Sequence, residues 1–423
     1  MINDNEIIIE GNVYDLQEFA KIHPGGNMAL NIFGGNDVTV HYYMLHNHRF
    51  FHEKAMEPYK LRKASLEDIK SNQYEINSKT YRDLKDYIKK DIKYPYATME
   101  WYIKAVAIMA LEIYIEYDNI INGFNIPKSI LHGITMAMIG LCIQHDANHG
   151  AVSKTPWVNY AWGFTQDWIG GSSLLWKHHH VLLHHAYTNN EGNDPDTTGT
   201  LIRLHKMTKW SPRHRFQAIY TWFLLPLLPI SWHFKEIFDL LYMHHSGFKI
   251  SSMARHEANI ALILRGLFIA RFYAIPLYYH NNFHTLSCML ITLAVGGFYL
   301  GINFIISHNF EGVSYIIPKE TNDEHINTHN NDTDRDWAIQ QIETSSTVGG
   351  RILGYFHGGL NYQIEHHLFP RISHVHYHKI KKITKEWCDK KGIKYTYYNN
   401  LFDNIVSCYR QLKYMGNTLF TNT

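Results

Sequence analysis

Residues 286–307 form a run of 22 residues with no Asp, Glu, Lys, Arg or His among them. A helix of that length crosses the roughly 30 Å hydrocarbon core of a bilayer, so the chain is expected to be anchored in a membrane. The other apolar runs are uneven. Residues 99–117 carry Glu100, Lys104, Glu112 and Glu116 and make a marginal span, while residues 130–144 are free of Asp, Glu, Lys and Arg but short. Together they suit a hairpin. Residues 258–279 are long, with Arg265 and Arg271 inside them. Residues 216–232 contain Pro226 and Pro229, which break a spanning helix and suit an interfacial or re-entrant segment. About four crossings remain.

The rest of the chain is polar. Residues 1–62 alternate short apolar stretches with turns at Pro24-Gly25-Gly26 and Gly34-Gly35, the pattern of a small soluble α+β unit. The opening Met-Ile-Asn-Asp-Asn-Glu has neither a basic nor an apolar region of a cleaved signal, so this unit is expected in the cytosol. Residues 63–93 read as a charged linker helix, residues 321–336 as a flexible Asn-rich surface insertion, and the basic stretch after Pro370 as a soluble helical cap. Forty basic against 38 acidic side chains leave a formal charge of +2, which excludes a nucleic-acid groove. The four cysteines form no Cys-x-x-Cys pair, which argues against a disulfide scaffold or a cysteine zinc site.

The chain has 30 histidines, and three clusters of them flank the apolar runs. His145 and His149 stand four apart, so on a helix both imidazoles face one metal. His180, His184 and His185 repeat that spacing and add a neighbour rotated by about 100°, which can serve a second metal. His366 and His367 follow the last run, and His308 ends it. Gln363 stands three and four residues before His366 and His367, so its amide shares their helical face and can approach the same ion. Eight imidazoles exceed the capacity of one ion and imply two. All-nitrogen ligation suits Fe, Zn, Cu or Ni. No Glu is followed three residues later by His, which disfavours a soluble carboxylate di-iron bundle. What remains is a histidine-rich dinuclear centre at a membrane surface, suited to O2 chemistry on a lipid. His41, His48, His52, His132, His244, His245 and the histidines of residues 374–378 are expected to be solvated or hydrogen-bonding side chains, and Asp146, Asp194 and Asp196 are candidate acceptors for imidazole N–H groups.

Such chemistry needs electrons. His23-Pro-Gly-Gly sets a histidine on a tight turn, and residues 37–46 supply His46, with His41 and His48 competing for its role. Two axial imidazoles would hold a haem iron with no open position, fit only for passing electrons.

Residues 5–60 resemble a cytochrome b5 domain, and residues 95–385 resemble the membrane fatty-acyl desaturases with three histidine boxes. The phrases Gly358-Gly-Leu-Asn-Tyr-Gln-Ile-Glu-His-His-Leu-Phe-Pro370 and Ser307-His-Asn-Phe-Glu311, with Gln363 opening the third box, are similar to the front-end desaturases. The resemblance implies a small α+β cytochrome b5-like haem domain followed by an all-α integral membrane desaturase domain with about four transmembrane helices and a cytosolic histidine-rich cap. The expected limits are 1–65 for the haem domain, 66–95 for a linker, 96–390 for the desaturase domain and 391–423 for a C-terminal tail. It further implies haem b on His23 and His46, and two non-haem Fe ions on His145, His149, His180, His184, His185, His308, Gln363, His366 and His367.

The implied activity is insertion of a cis double bond between an existing one and the carboxyl end of a polyunsaturated acyl chain. Electrons would come from NADH-cytochrome b5 reductase, and the protein would be multi-pass in the endoplasmic reticulum membrane, with its haem domain and histidine boxes facing the cytosol. The rival readings are a sphingoid long-chain-base desaturase, a lipid hydroxylase, and a non-enzymatic haem protein or metal transporter. The carbon attacked, the lipid or CoA carrier and the oligomeric state stay open.

Overall fold

A computed structural model describes residues 2–46, 56–65, 67–68, 76, 78–316 and 336–418. Its first unit is a three-stranded antiparallel sheet in the order Glu6–Ile9, Asn12–Asp15, Lys60–Lys63. The first two strands join through Glu10 and Gly11, whose φ angles of 49° and 69° match the right-handed twist of a two-residue hairpin. Asp15 then caps the helix Leu16–Ala20 through the Glu18 amide at 3.0 Å. After the His23 turn, the helix Thr39–Leu45 leads into His46. The Asn-rich stretch 321–336 falls, except for Asp336, outside the described residues, as do His48 and His52.

This unit does not stand apart from the rest. Tyr14, Leu16, Ile32 and Phe33 share one buried cluster with Leu174, Leu175, Val181 and Leu182, which surround the second histidine box. On its other side, Val40, Tyr43 and Met44 pack with Tyr81, Trp337, Ile364 and Phe369. The linker helix Lys79–Asp91 buries Tyr81, Leu84 and Ile88, and the Tyr81 hydroxyl donates to the Leu368 carbonyl at 2.8 Å.

The rest is mostly helical. Among the described residues, three helices, Ile126–Asn148, Ser252–Tyr279 and Phe283–His308, are long and apolar enough to cross a membrane. The helix Met99–Asn122 is long enough at 24 residues but carries the charges seen in the sequence. Past Glu100, which stays exposed, those charges turn inward: Glu112 accepts from Thr135 and lies 3.0 Å from His132 Nε2, while Lys104 reaches the Tyr355 carbonyl and His374. Its outward face is apolar, with Ile103, Val106, Ile113, Tyr117 and Ile121 exposed. Helices Ile126–Met138 and Phe283–His308 meet at Gly133, where a Cβ would strike the Thr292 carbonyl, so their backbones approach closely.

The run containing Pro226 and Pro229 is broken: helix Gln217–Leu224 ends in the 3₁₀ turn Leu225–Leu227, and a second helix, Leu228–Tyr242, follows. Beyond residue 391 the chain folds back as the helix Leu401–Asn417. It buries Cys408 and Leu412 against Ala218, Leu225 and Ile305.

Candidate metal centres

The first two histidine boxes sit on helices whose winding changes at the box. A π-helical turn, Ile139–Gln144, precedes His145, and another, Lys177–His184, runs through the second box. The wider turn brings residues five apart into register, so His180 Nε2 lies 3.1 Å from His185 Nε2. The simple expectation that His180 and His184 share one ion therefore changes. Ligand atoms of His145, His149, His180 and His366 lie within 4.8 Å of one another, those of His184, His308 and His367 form a second group, and His185 joins His366 and His367 between them.

The spacing tests whether metal fits. His366 Nε2 lies 2.9 Å from His185 Nε2 and 3.4 Å from His180 Nε2. Around an ion with metal–nitrogen bonds of about 2.0–2.1 Å, neighbouring donors stand roughly 2.9–3.4 Å apart, so these distances are edges of a coordination polyhedron. His145 Nε2 and both nitrogens of His149 are buried without a partner, which leaves lone pairs for a cation. Burial holds His149, His180, His185, His366 and His367 well below the ordinary imidazole range, so they stand neutral.

Groups behind the imidazoles fix their inner faces. His184 Nδ1 donates to Asp194, His308 Nδ1 to the Thr344 carbonyl at 3.0 Å, His367 Nδ1 to Gln341 Oε1 at 2.8 Å, and His366 Nδ1 to the Tyr377 hydroxyl at 3.2 Å. Each contact turns Nε2 inward. Burial pulls His184 down, but the Asp194 and Asp196 carboxylates overrule it and raise it to about 9. Asp146 has a different task from the one the sequence suggests: it accepts from Ser373 and from His374 Nδ1 at 2.9 Å. His374 is accordingly buried, not solvated.

Gln363 lies in the second group, its amide nitrogen 3.0 Å from His308 Nε2 and 3.3 Å from His367 Nε2, with Oε1 buried and unpartnered. The two ends of an amide are exchangeable by a half-turn, which would aim the carbonyl oxygen at the same point. Gly358 and Gly359, with φ of 58° and 76°, carry the approach to this box over the first-box helix, where a Cβ on Gly358 would strike the Leu141 carbonyl. Trp176 closes one wall, its ring 4.4 Å from that of His180 and 5.2 Å from that of His149.

In the first unit the rings of His23 and His46 face each other with centroids 6.0 Å apart. That fits one iron between two imidazoles, each about 2 Å from the metal through nitrogen. His46 Nδ1 donates to the Tyr42 carbonyl at 2.9 Å. His41 is not a competitor: it is buried with Nε2 on the Leu182 carbonyl at 2.6 Å and its ring on Phe33. The sequence gives no sign of Gln341, Thr344, Tyr377 or Arg371 beside these centres, because none stands at ligand spacing.

Comparison with known proteins agrees with this geometry. Residues 127–399 match the family described as Fatty acid desaturase, and residues 3–65 match Cytochrome b5-like Heme/Steroid binding domain. An acyl-lipid (7-3)-desaturase of Rebecca salina is 36% identical over 97% of this chain and 90% of its own, and one of Diacronema lutheri is 34% identical over the same shares. A probable Delta(5) fatty acid desaturase C of Dictyostelium discoideum is 29% identical over 97% of this chain and 92% of its own. The chain belongs to the fatty acid desaturase family and carries a cytochrome b5-like domain ahead of its desaturase domain.

Proposed function

We propose that this protein is a front-end acyl-lipid desaturase that feeds itself electrons through its own haem. The observation that carries this reading is the meeting of all three histidine boxes in two adjoining groups of inward nitrogens. His145, His149, His180 and His366 would hold one non-haem iron, His184, His308, His367 and Gln363 the other, with His185 between them, and His23 and His46 would hold haem b. When bound, the irons supply O2-dependent removal of two hydrogens from adjacent, unactivated methylenes, with electrons arriving singly from the haem and O2 leaving as water. The protein's residues exclude water and aim the donor nitrogens, and burial keeps those of His149, His180, His185, His366 and His367 unprotonated.

A cavity of about 370 Å3 supports a lipid-borne substrate. Trp101, Ile352, Tyr355 and Phe356 give it apolar walls, with Lys104 and an Arg351–Glu100 pair at 3.5 Å supplying its charges. On its metal-centre side, Lys104 Nζ lies 2.9 Å from His374 Nε2, and His374 Nδ1 donates to Asp146, the residue after His145, at 2.9 Å. The likeness to relatives named acyl-lipid desaturases supports a lipid carrier over CoA. We assign the haem domain to residues 1–65, the linker to 66–95 and the desaturase domain to 96–390. The protein would cross the endoplasmic reticulum membrane four times, take electrons from NADH-cytochrome b5 reductase and keep both metal sites in the cytosol.

The test is expression in a host without polyunsaturated lipids, fed one acid at a time, with double bonds mapped. A new double bond on the carboxyl side of an existing one supports the proposal. A desaturated sphingoid base, or labelled O2 entering the lipid as a hydroxyl, would overturn it.

A further inference from the structure

Arg371 follows the third histidine box directly and stands between the two metal sites. Its Nη1 donates to the carbonyl of Leu45, the residue before His46, at 3.3 Å. Its guanidinium lies 3.4–3.5 Å from where a Cβ on Gly150 would stand, and Gly150 follows His149. Its charge is also felt at His23 and at Tyr160, whose hydroxyl donates to the Gly25 carbonyl at 2.6 Å. One desaturase-domain cation thus touches or faces both loops that carry the paired imidazoles of the first unit.

A guanidinium has five N–H donors. Among the described residues, the Leu45 carbonyl is its one hydrogen-bond acceptor, and no carboxylate pairs with it. Arg371 is half-buried, and taking such a cation from water without an anion has a cost; the buried Arg265, by comparison, is matched by Glu236 at 2.7 Å. The missing partner should be a carboxylate beside His23 and His46. A haem held by those two histidines carries two carboxylates on its rim.

We propose that Arg371 binds a haem propionate, so that the haem site is completed across the boundary between the two domains. The inference rests on the reading that His23 and His46 are the axial ligands. Arg371 is then a positioning residue. It would hold the haem through that carboxylate, and its positive charge would favour the reduced, less positive haem.

The experiment uses the full-length protein in nanodiscs, reconstituted with haem or with haem dimethyl ester, whose propionates cannot ionise. Haem release to apomyoglobin and the haem midpoint potential are measured for wild type, Arg371→Lys and Arg371→Gln. Wild type should release the ester roughly tenfold faster than haem, as expected for loss of a charge-assisted pair. Arg371→Gln should release both at the faster rate and show a lower midpoint potential, and Arg371→Lys should fall between. If Arg371→Gln keeps the wild-type ratio of ester to haem release and the wild-type potential, Arg371 does no more than cap the Leu45 carbonyl and the proposal fails. Failure of the axial reading looks different: His23→Ala or His46→Ala would retain a six-coordinate low-spin spectrum whatever Arg371 does.

Discussion

His184 Nδ1 stands 3.1 Å from a carboxylate oxygen of Asp194, with both side chains buried. Asp194 is itself fixed, accepting from the backbone amides of Asn189 at 2.8 Å and Asp196 at 3.1 Å. This carboxylate keeps the proton on Nδ1 and makes Nε2 a stronger donor towards the group containing His308 and His367. Asp194→Asn should therefore weaken metal retention by about 10- to 100-fold, the usual scale for such partners. Iron per haem, measured after dialysis against a chelator, checks it. Asp196, half exposed, should matter less.

Gln363→Leu keeps the bulk but removes both amide atoms from their place beside His308 and His367. The expected result is lost desaturation and reduced non-haem iron, with normal expression and haem content. Retained iron with near-normal turnover would reduce Gln363 to a packing residue.

Gly358→Ala should be more damaging than its size suggests. The left-handed backbone alone costs an alanine on the order of 1–3 kcal/mol, and the added methyl meets the Leu141 carbonyl of the first-box helix. The variant should lose iron and activity while its haem spectrum stays intact. A wild-type iron content would show that the loop can shift without moving His366.

The sequence made the ingredients of these sites visible but not their grouping. The clusters, the uncharged run ending before His308, the proline-broken segment and the His23 turn announce themselves through local spacing, whereas His46 stood out from His41 and His48 only through the family resemblance. The π-helical turns leave no such mark, so His180 and His184 looked like partners although they serve different groups. Gln341, Thr344 and Tyr377 reach their histidines from residues 26, 36 and 11 away, and Arg371 reaches Leu45 across 326. Contacts of that kind depend on tertiary packing, which residue spacing does not encode. For the same reason, the Lys104 and Glu112 charges read as defects in a span until His374 and His132 are seen opposite them.

Acid should loosen the seam between the haem domain and the second-box helix. Burial lowers His41 to about 4, and in its neutral form it donates to the Leu182 carbonyl. The unfolded chain binds a proton there near pH 6.5 while the folded chain does not, so stability is present above 6.5 and lost progressively as pH falls towards 4. The full effect is about 3 kcal/mol. Thermal midpoints of the haem absorbance band between pH 4.5 and 7.5 should fall more steeply for wild type than for His41→Gln, which keeps an N–H donor but does not titrate. Equal slopes would exclude His41 as the source.

Membrane topology follows from which atoms meet. His180 and His366 lie 3.4 Å apart through their ring nitrogens, so the chain between them crosses an even number of times. The two apolar helices Ser252–Tyr279 and Phe283–His308 supply that number, and the broken segment between Gln217 and Tyr242 adds none. Tyr160 on Gly25, and Arg371 on Leu45, put the haem domain on the same face. The proposed shared face requires an even count from there to His145, so with Ile126–Asn148 as one crossing, the helix Met99–Asn122 is expected to be the other. At about 1.5 Å per residue its 24 residues exceed the roughly 30 Å needed, and of its charges Lys104 and Glu112 are buried inside the bundle. All four natural cysteines are buried, so single added cysteines report without background. Asn122→Cys and Asn281→Cys should react with an impermeant reagent only from the side away from the haem domain, and Gly199→Cys and Lys391→Cys only from the haem side. Labelling of Asn122→Cys from the haem side would mean that Met99–Asn122 does not cross, and the shared face of the haem and the histidine boxes would have to be given up.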